Sequence, residues 1–536
     1  MQIIVISLKR SSRFLTWGLL ARVAALMLAA LTMKSYGDVH RPNILFILAD
    51  DLGYGDVGCL NPDGKIPTPN LDRLAAGGMS FTDAHSTSSV CTPSRYSILT
   101  GRYNWRSRLQ KDVLGGLSPR LIEQNRLTVA SLLRSAGYST ACIGKWHLGL
   151  DWARLPGKSV TELGIETPDQ VKNVDFALPI SNGPIALGFD YFFGISASLD
   201  MVPYTYIEND RVVKLPTKEM SFSMKPNEKG QTRHGPGAAG FEVEQVLPTI
   251  TRRAVDYITE RARGAKQDKP FFLYLPLNSP HTPIAPTREW RGRSGLNAYA
   301  DFVMQTDAAV GQVLEALETN GVSADTLVIF TSDNGCSPSA GFGELAAKGH
   351  NPSYVFRGAK ADIFDGGHRI PFIARWPGQI PSGARSEQTI CLMDLMATVA
   401  DILGVPLPVN AGEDSVSILP ALLGRAQHPL REALVHHSIN GSFAIRQGNW
   451  KLELCPDSGG WSAPKPGSEA ARELPATQLY NLGKDIAEQH NVAGENLEII
   501  ERLTRLLERY ISDGRSTPGT KQTNTVPIII RKRPAG

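Results

Sequence analysis

Four stretches of this chain carry side chains that could do chemistry together. Asp50-Asp51 closes the apolar run that begins at Asn43, and Asp333-Asn334 closes another that begins at Leu327. Adjacent carboxylates are costly unless something positive joins them. A donor set made only of oxygen selects Ca²⁺ or Mg²⁺ over zinc. Lys145 and His147 end a third strand-like run, and in an extended segment residues two apart project to the same side. Cys91-Thr92-Pro93-Ser94-Arg95 is the fourth. Pro93 suits the first turn of a helix, so Cys91 lies just before a helix N-terminus, where free N–H groups and the helix dipole favour an oxyanion. Arg95 braces the same end. His281 follows a further candidate strand end and adds a proton carrier, and Lys360, in the segment before the strand at 370–375, adds a cation. An ion, several cations and a helix N-terminus describe a site for a tetrahedral oxyanion, phosphate or sulfate. Each piece alone has a plainer reading: a structural cysteine, an N-cap aspartate, a solvated lysine. The second Asp-Asx pair is what turn chemistry explains poorly.

The elements that must position these residues follow from hydrophobic pattern. Asn43–Ala49, Tyr138–Ile143, Phe271–Pro276, Leu327–Thr331 and Ile370–Arg375 read as buried strands, alternating with helices near 70–76, 129–135, 251–263, 307–317 and 391–403. That alternation predicts a doubly wound α/β domain, residues 38–427. Ser442–Arg446 and Trp450–Leu454, joined at Gln447-Gly448-Asn449, predict an antiparallel hairpin. With a short strand at 478–482 and a closing helix, they predict a smaller C-terminal α+β subdomain, 428–514, followed by a loosely held basic tail, 515–536. Residues 150–245 are rich in Gly and Pro and read as irregular loops over the active face. Within them Asp200, Tyr204, Tyr206 and His234 suit a wall for a sugar, and His368 is a further substrate-binding candidate.

The totals narrow the function. At 536 residues the chain exceeds one ordinary core, and its 20% charged content is globular, not disordered. The formal charge is +4, but Lys9, Arg10, Arg13, Arg22 and Lys34 lie in residues 1–37 with no acid among them. Without that segment the chain is close to neutral, so a nucleic-acid partner is not indicated. Residues 1–37 read as a signal peptide cleaved near Gly37, which implies export to the periplasm or medium with no stable membrane anchor. The six scattered cysteines imply neither a disulfide framework nor a zinc site.

Taken in order, Asp50-Asp51-Leu52-Gly53-Tyr54-Gly55, Cys91 to Arg102, Gly144-Lys145-Trp146-His147, Ser332-Asp333-Asn334-Gly335 and Gly366-Gly367-His368-Arg369 closely resemble the type I, formylglycine-dependent sulfatases of the alkaline phosphatase superfamily, in the arylsulfatase A-like group. The resemblance runs from about Arg41 to about Asp513. It implies a large doubly wound, mixed-sheet domain with a smaller C-terminal one, and hydrolysis of a sulfated carbohydrate or aryl sulfate. It also implies that a formylglycine-generating maturation enzyme converts Cys91 to 3-oxoalanine. One Ca²⁺ would be held by Asp50, Asp51, Asp333, Asn334 and residue 91, with Mg²⁺ the less suited ion. Arg95 would hold the hydrated aldehyde. Lys145, His281 and Lys360 would bind sulfate, with His281 or Lys360 helping the alcohol leave, and His147 would be the base for the second step. Ala359 stands where the family commonly has a second glycine, which leaves Lys360 in register. Two rival readings remain: a phosphoester hydrolase of the same superfamily, and an unmodified protein that binds sulfated glycans without turnover.

Overall fold

The computed structural model describes residues 41–226 and 228–531; the expected signal peptide lies outside them. At the centre is a ten-stranded mixed sheet. Its strands in chain order are β1 (Asn43–Asp50), β2 (Met79–Phe81), β3 (Ser139–Lys145), β4 (Tyr191–Ile195), β5 (Ile207–Glu208), β6 (Arg211–Val212), β7 (Phe271–Pro280), β8 (Thr326–Ser332), β9 (Phe372–Arg375) and β10 (Ala384–Ser386). The spatial order is β10-β2-β9-β8-β1-β7-β3-β4-β5-β6. Strands β8, β1, β7, β3 and β4 run parallel, and β9 pairs antiparallel with β8.

Every residue of β1, β7 and β8 is buried, which requires cover on both faces and explains their unbroken apolar runs. Two helix groups supply that cover. Helices α1 (Pro69–Ala76), α4 (Val246–Ala265) and α5 (Ala298–Thr319) pack together, as do α2 (Cys91–Thr100), α3 (Val129–Ser135) and α6 (Leu395–Leu403). Local chemistry sets their ends. The Thr128 side chain caps α3 by accepting from Ser131 N, and Asn297 caps α5 by accepting from Ala300 N. Gly101 ends α2 at φ +63, where a Cβ would meet Met396 Cβ at 2.8 Å.

The C-terminal part forms its own four-stranded antiparallel sheet: β11 (Leu434–His437), β12 (Phe443–Gln447), β13 (Trp450–Glu453) and β14 (Gln478–Asn481). Helix α7 (Leu497–Ser512) buries Leu503, Leu506, Leu507 and Tyr510, the stripe of an amphipathic helix. These join Leu434, Val435, Phe443 and Ile445 in one apolar cluster with Tyr103 and Trp105 of the large domain. No helix among the described residues is long and apolar enough to cross a membrane. None of the six cysteines is in a disulfide.

Two expectations are corrected. Within 150–245, Tyr191–Ile195 is a parallel strand of the central sheet rather than loop. Gly194 disguises it: a Cβ there would fall 1.7 Å from Gly144 O of the neighbouring strand, so glycine marks a close backbone approach. The described part of the tail is also docked, not loose. Buried Arg102 and Arg106 need acceptors, and the tail brings them: Arg102 Nη2 donates to Thr523 O at 2.9 Å and Arg106 Nη1 to Asn524 Oδ1 at 2.8 Å.

Asp414 grips the Arg106 guanidinium through two bonds of 2.9 Å and accepts from Tyr103 N and Ser516 N. Both partners are buried. Asp414→Ala leaves a buried cation uncompensated and is expected to cost about 3–5 kcal/mol, read from denaturant-induced unfolding. A loss under about 1 kcal/mol, the range of an exposed pair, contradicts this role.

Candidate active site

Four adjacent parallel strands end side by side, and each delivers part of the site. β8 leads into Asp333-Asn334, β1 ends in Asp50 and leads into Asp51, β7 runs into His281, and β3 ends in Lys145 with His147 two residues on. Ligands bind beyond the carboxyl ends of such strands. Helix α2 supplies the rest. Cys91 is its first residue, all ten of its residues are buried, and Arg95 lies one turn in. Lys360 comes from a loop pinned beside the β8 end, where its backbone N–H donates to Cys336 O at 2.8 Å.

The charges interlock. Arg95 donates from Nη2 and Nε to Asp333 Oδ2 at 2.7 and 2.9 Å, and from Nη1 to Lys145 O at 2.9 Å. Lys145 Nζ lies 2.6 Å from Asp50 Oδ2, and Lys360 Nζ 2.7 Å from Asp51 Oδ1. Asn334 Nδ2 donates to Asp51 Oδ1 at 2.7 Å. Three carboxylates thus face three fixed cations, all buried. Burial alone would raise Asp50, but Lys145, His281, Arg95 and Lys360 outweigh it and hold its carboxyl far below the usual range. Burial and the Asp50 charge instead raise Asp333. Burial pushes the Cys91 thiol up, against the pull of Lys145 and Lys360. A thiol so held stays protonated and is a poor nucleophile.

Two acceptors in this cluster lack any hydrogen-bond donor although fully buried: Asp50 Oδ1 and Asn334 Oδ1. Arg95 Nη2 lies 3.5 Å from the first. Orphan oxygens beside Asp51 and Asp333 fit a hard divalent ion, which takes carboxylate and amide oxygens and satisfies what no N–H reaches.

The two histidines differ in how they are held. His147 Nε2 donates to Leu114 O at 2.8 Å, which leaves Nδ1 bare, buried and without a partner. Burial, Lys145 and Arg95 hold its pKa well below 6.5, so the ring is a neutral base. His281 Nδ1 faces Thr282 O at 2.6 Å, directing Nε2 toward Asp51 Oδ2, 3.7 Å away. Asp51 and His147 both adopt left-handed backbone, at φ +66 and +55, a conformation that persists where surrounding structure enforces it. The carbonyls of Leu114 and Thr282 leave no mark in the sequence, since any residue type supplies one.

All ten residues proposed for metal binding and catalysis share this place. Among the described residues, none of the five side chains proposed for substrate shares a hydrogen bond or ion pair with these ten. Tyr204 is buried; its hydroxyl donates to Arg233 O and accepts from Thr232 Oγ1 at 2.8 Å, and its ring packs edge-on against Phe222. It is a core side chain of the loop region, not an open wall, because that region builds an aromatic cluster of its own with Tyr206 and Phe241. Asp200 is tied to Arg233 at 2.8 Å. His234 is mostly exposed, 3.5 Å from Glu219. His368 is fully buried, stacked on His436 at 3.7 Å.

Known proteins share this sequence and this fold. Residues 42–405 match the family described as Sulfatase. An N-acetylgalactosamine-6-O-sulfatase of Bacteroides thetaiotaomicron is 33% identical over 506 residues, 88% of this chain and 93% of its own length. Arylsulfatase A of Homo sapiens is 34% identical over 488 residues, 87% of each chain. A solved structure from work on metabolism of multiple glycosaminoglycans by Bacteroides thetaiotaomicron superposes with a TM-score of 0.73 at 31% identity, covering 88% of this chain and 99% of that one.

An ion held by these oxygens must stabilise the native state. Ca²⁺ at 100 times its Kd is expected to add about 2.7 kcal/mol, read as a rise in the thermal midpoint. Asn334→Ala removes one neutral ligand and leaves the ion pairs intact, so the rise should shrink. An equal rise in both proteins contradicts the assignment.

Proposed function

This chain belongs to the sulfatase family and is a sulfuric ester hydrolase acting on sulfated carbohydrates or aryl sulfates, and from that premise we propose how its own residues do so. The observation that carries the reading is the pair of orphan oxygens, Asp50 Oδ1 and Asn334 Oδ1, set among three cations at the start of the Cys91 helix. Asp50, Asp51, Asp333, Asn334 and residue 91 would hold Ca²⁺, which supplies positive charge to polarise a bound hydroxyl and to neutralise the sulfate. Cys91, converted to formylglycine by a maturation enzyme during export, supplies a hydrated aldehyde, whose one hydroxyl can attack sulfur and whose other lets the aldehyde reform.

The chain positions everything else. The fixed charges balance, so a divalent ion leaves the pocket net positive, and a monoanionic sulfate ester complements it. Lys145 and Lys360 each engage one carboxylate, which keeps further ammonium donors for sulfate oxygens. Arg95, locked between Asp333 and Lys145 O, fixes the helix end from which residue 91 projects. His281 and Lys360 flank Asp51 and are the groups placed to give the leaving alcohol its proton. His147, neutral with Nδ1 bare, takes a proton in the second step, when sulfate departs and the site is restored. We propose a sulfated sugar as substrate, with 6-O-sulfated N-acetylgalactosamine the first to try, given the relative that bears that name.

Sulfate release from a panel of sulfated mono- and oligosaccharides and an aryl sulfate tests the reading. Turnover on the sugars is expected, and release from none of them contradicts it. His147→Gln is expected to lower kcat by about 10²–10⁴-fold while sulfated enzyme accumulates in its intact mass. Cys91→Ser should abolish multiple turnover, because a serine sulfate has no second hydroxyl with which to expel sulfate. Full turnover in either variant would overturn the mechanism.

A further inference from the structure

Behind the nucleophile loop lies a second cluster that the reaction does not use. His85 sits six residues before Cys91, His368 follows the Gly366-Gly367 pair, and His436 comes from β11 of the small sheet. All three are completely buried. A nitrogen on each ring can be chosen so that the three lie within 4.8 Å of one another.

The surrounding acceptors fix where the ring protons are. His85 Nε2 faces Asp83 Oδ1 at 2.9 Å and Arg446 Nη1 at 3.2 Å; Arg446 Nη1 donates to Asp83 Oδ1 at the shorter distance of 2.7 Å, so the nearer acceptor places the proton on His85 Nε2 and leaves Nδ1 free of it. His368 Nε2 lies 3.0 Å from Ile363 O and 3.2 Å from Lys451 Nζ. The ammonium has three nearer acceptors. Its three protons go to Glu488 Oε1 at 2.6 Å, Asp365 Oδ1 at 2.9 Å and Ile363 O at 3.0 Å. His368 Nε2 therefore donates to Ile363 O and leaves Nδ1 bare. His436 Nδ1 faces Ser86 O at 3.3 Å, and its Nε2 is buried with no partner at all.

With the protons so placed, each imidazole has one N–H anchored on a protein oxygen and one nitrogen turned toward the other rings, and that of His436 has no hydrogen-bond partner. That is the arrangement outer-shell partners impose on metal-binding histidines. His85 Nδ1 and His368 Nδ1 stand 3.0 Å apart, a distance that one shared ring proton bridges in the metal-free protein and that a bound cation would bridge in its place. Two nitrogens on one tetrahedral Zn²⁺ are separated by about 3.3 Å, given Zn–N bonds of about 2.0–2.1 Å. Asp83, Asp365, Glu453 and Glu488 face Arg369, Arg446 and Lys451 around the cluster, and burial raises Glu453 and Glu488, so the surroundings are close to electrically balanced. His368 and His436 stack with planes 11° apart, and parallel rings cannot aim at a single ion, so coordination turns one of them about its side-chain torsions.

We propose that His85, His368 and His436 form a second metal site, distinct from the oxygen site, that takes a transition ion of the zinc type. Imidazole nitrogen suits Zn²⁺ and disfavours Ca²⁺. Its three ligands come from the nucleophile loop, the Asp365–His368 turn and the small sheet, so the ion staples these parts behind residue 91 and positions them without touching substrate.

The test is metal analysis of the intact protein, produced in zinc-supplemented medium and dialysed against a weak chelator. About one zinc per chain is expected, with X-ray absorption showing about three imidazole ligands. His436→Gln and His85→Gln should each lose the zinc and keep the Ca²⁺-dependent thermal shift. If either variant fails to fold, the absorption spectrum of the unaltered protein still decides. Zinc well below one per chain, an oxygen-dominated shell, or zinc retained in both variants would overturn the proposal and leave a purely hydrogen-bonded histidine network.

Discussion

The active face of the large domain depends on keeping three carboxylates buried at the carboxyl ends of two central strands. Asp50, Asp51 and Asp333 stand at the ends of two adjacent strands, at almost no exposure. Uncompensated, such a group would be ruinous, and so would the isolated cations opposite. The interlocked pairs Asp50–Lys145, Asp51–Lys360 and Asp333–Arg95 make the arrangement tolerable. Each partner arrives from a different element, so the strand order, the entry of α2 and the loop carrying Lys360 are jointly constrained by charge. A shift of one strand end would strand a charge rather than merely weaken a contact.

That balance also explains why the site is chemically ready. The cations are held by carboxylates rather than by solvent, so they are aimed before substrate arrives. The protein leaves oxygens at Asp50 and Asn334 that its own donors do not reach. Neutral His147, clamped by Leu114 O, keeps its bare nitrogen in the same buried region. Such a site is costly to fold and prepared for an anion, which is the usual exchange of stability for function.

Much of this is legible in the sequence. The strands that lead to Asp50, His281 and Asp333 stand out as apolar runs, because strands covered on both faces need no polar alternation. Paired acids at the ends of two such runs call for a shared cation, which turn chemistry does not supply. Tyr191–Ile195 escapes notice because Gly194 breaks its apolar run. The docking of the tail is hidden because its anchors, Arg102 and Arg106, lie some four hundred positions earlier, and nothing local signals so remote a partner. The loop residues Tyr204 and Asp200 have the composition of a sugar wall. Their neighbours Phe222, Phe241 and Arg233 decide that they serve the loop itself. The histidine cluster is invisible for the same reason, since its members come from three separated segments.

The mechanism turns on the chemical identity of residue 91, whose side chain is a buried, protonated thiol by composition and an aldehyde by proposal. Peptide mass spectrometry across Cys91, on protein matured in a host that performs the conversion, reads that identity directly. The mechanism predicts a residue that has lost one sulfur and two hydrogens and gained one oxygen, and that reacts with a hydrazide probe. An intact thiol in protein that still releases sulfate would contradict it.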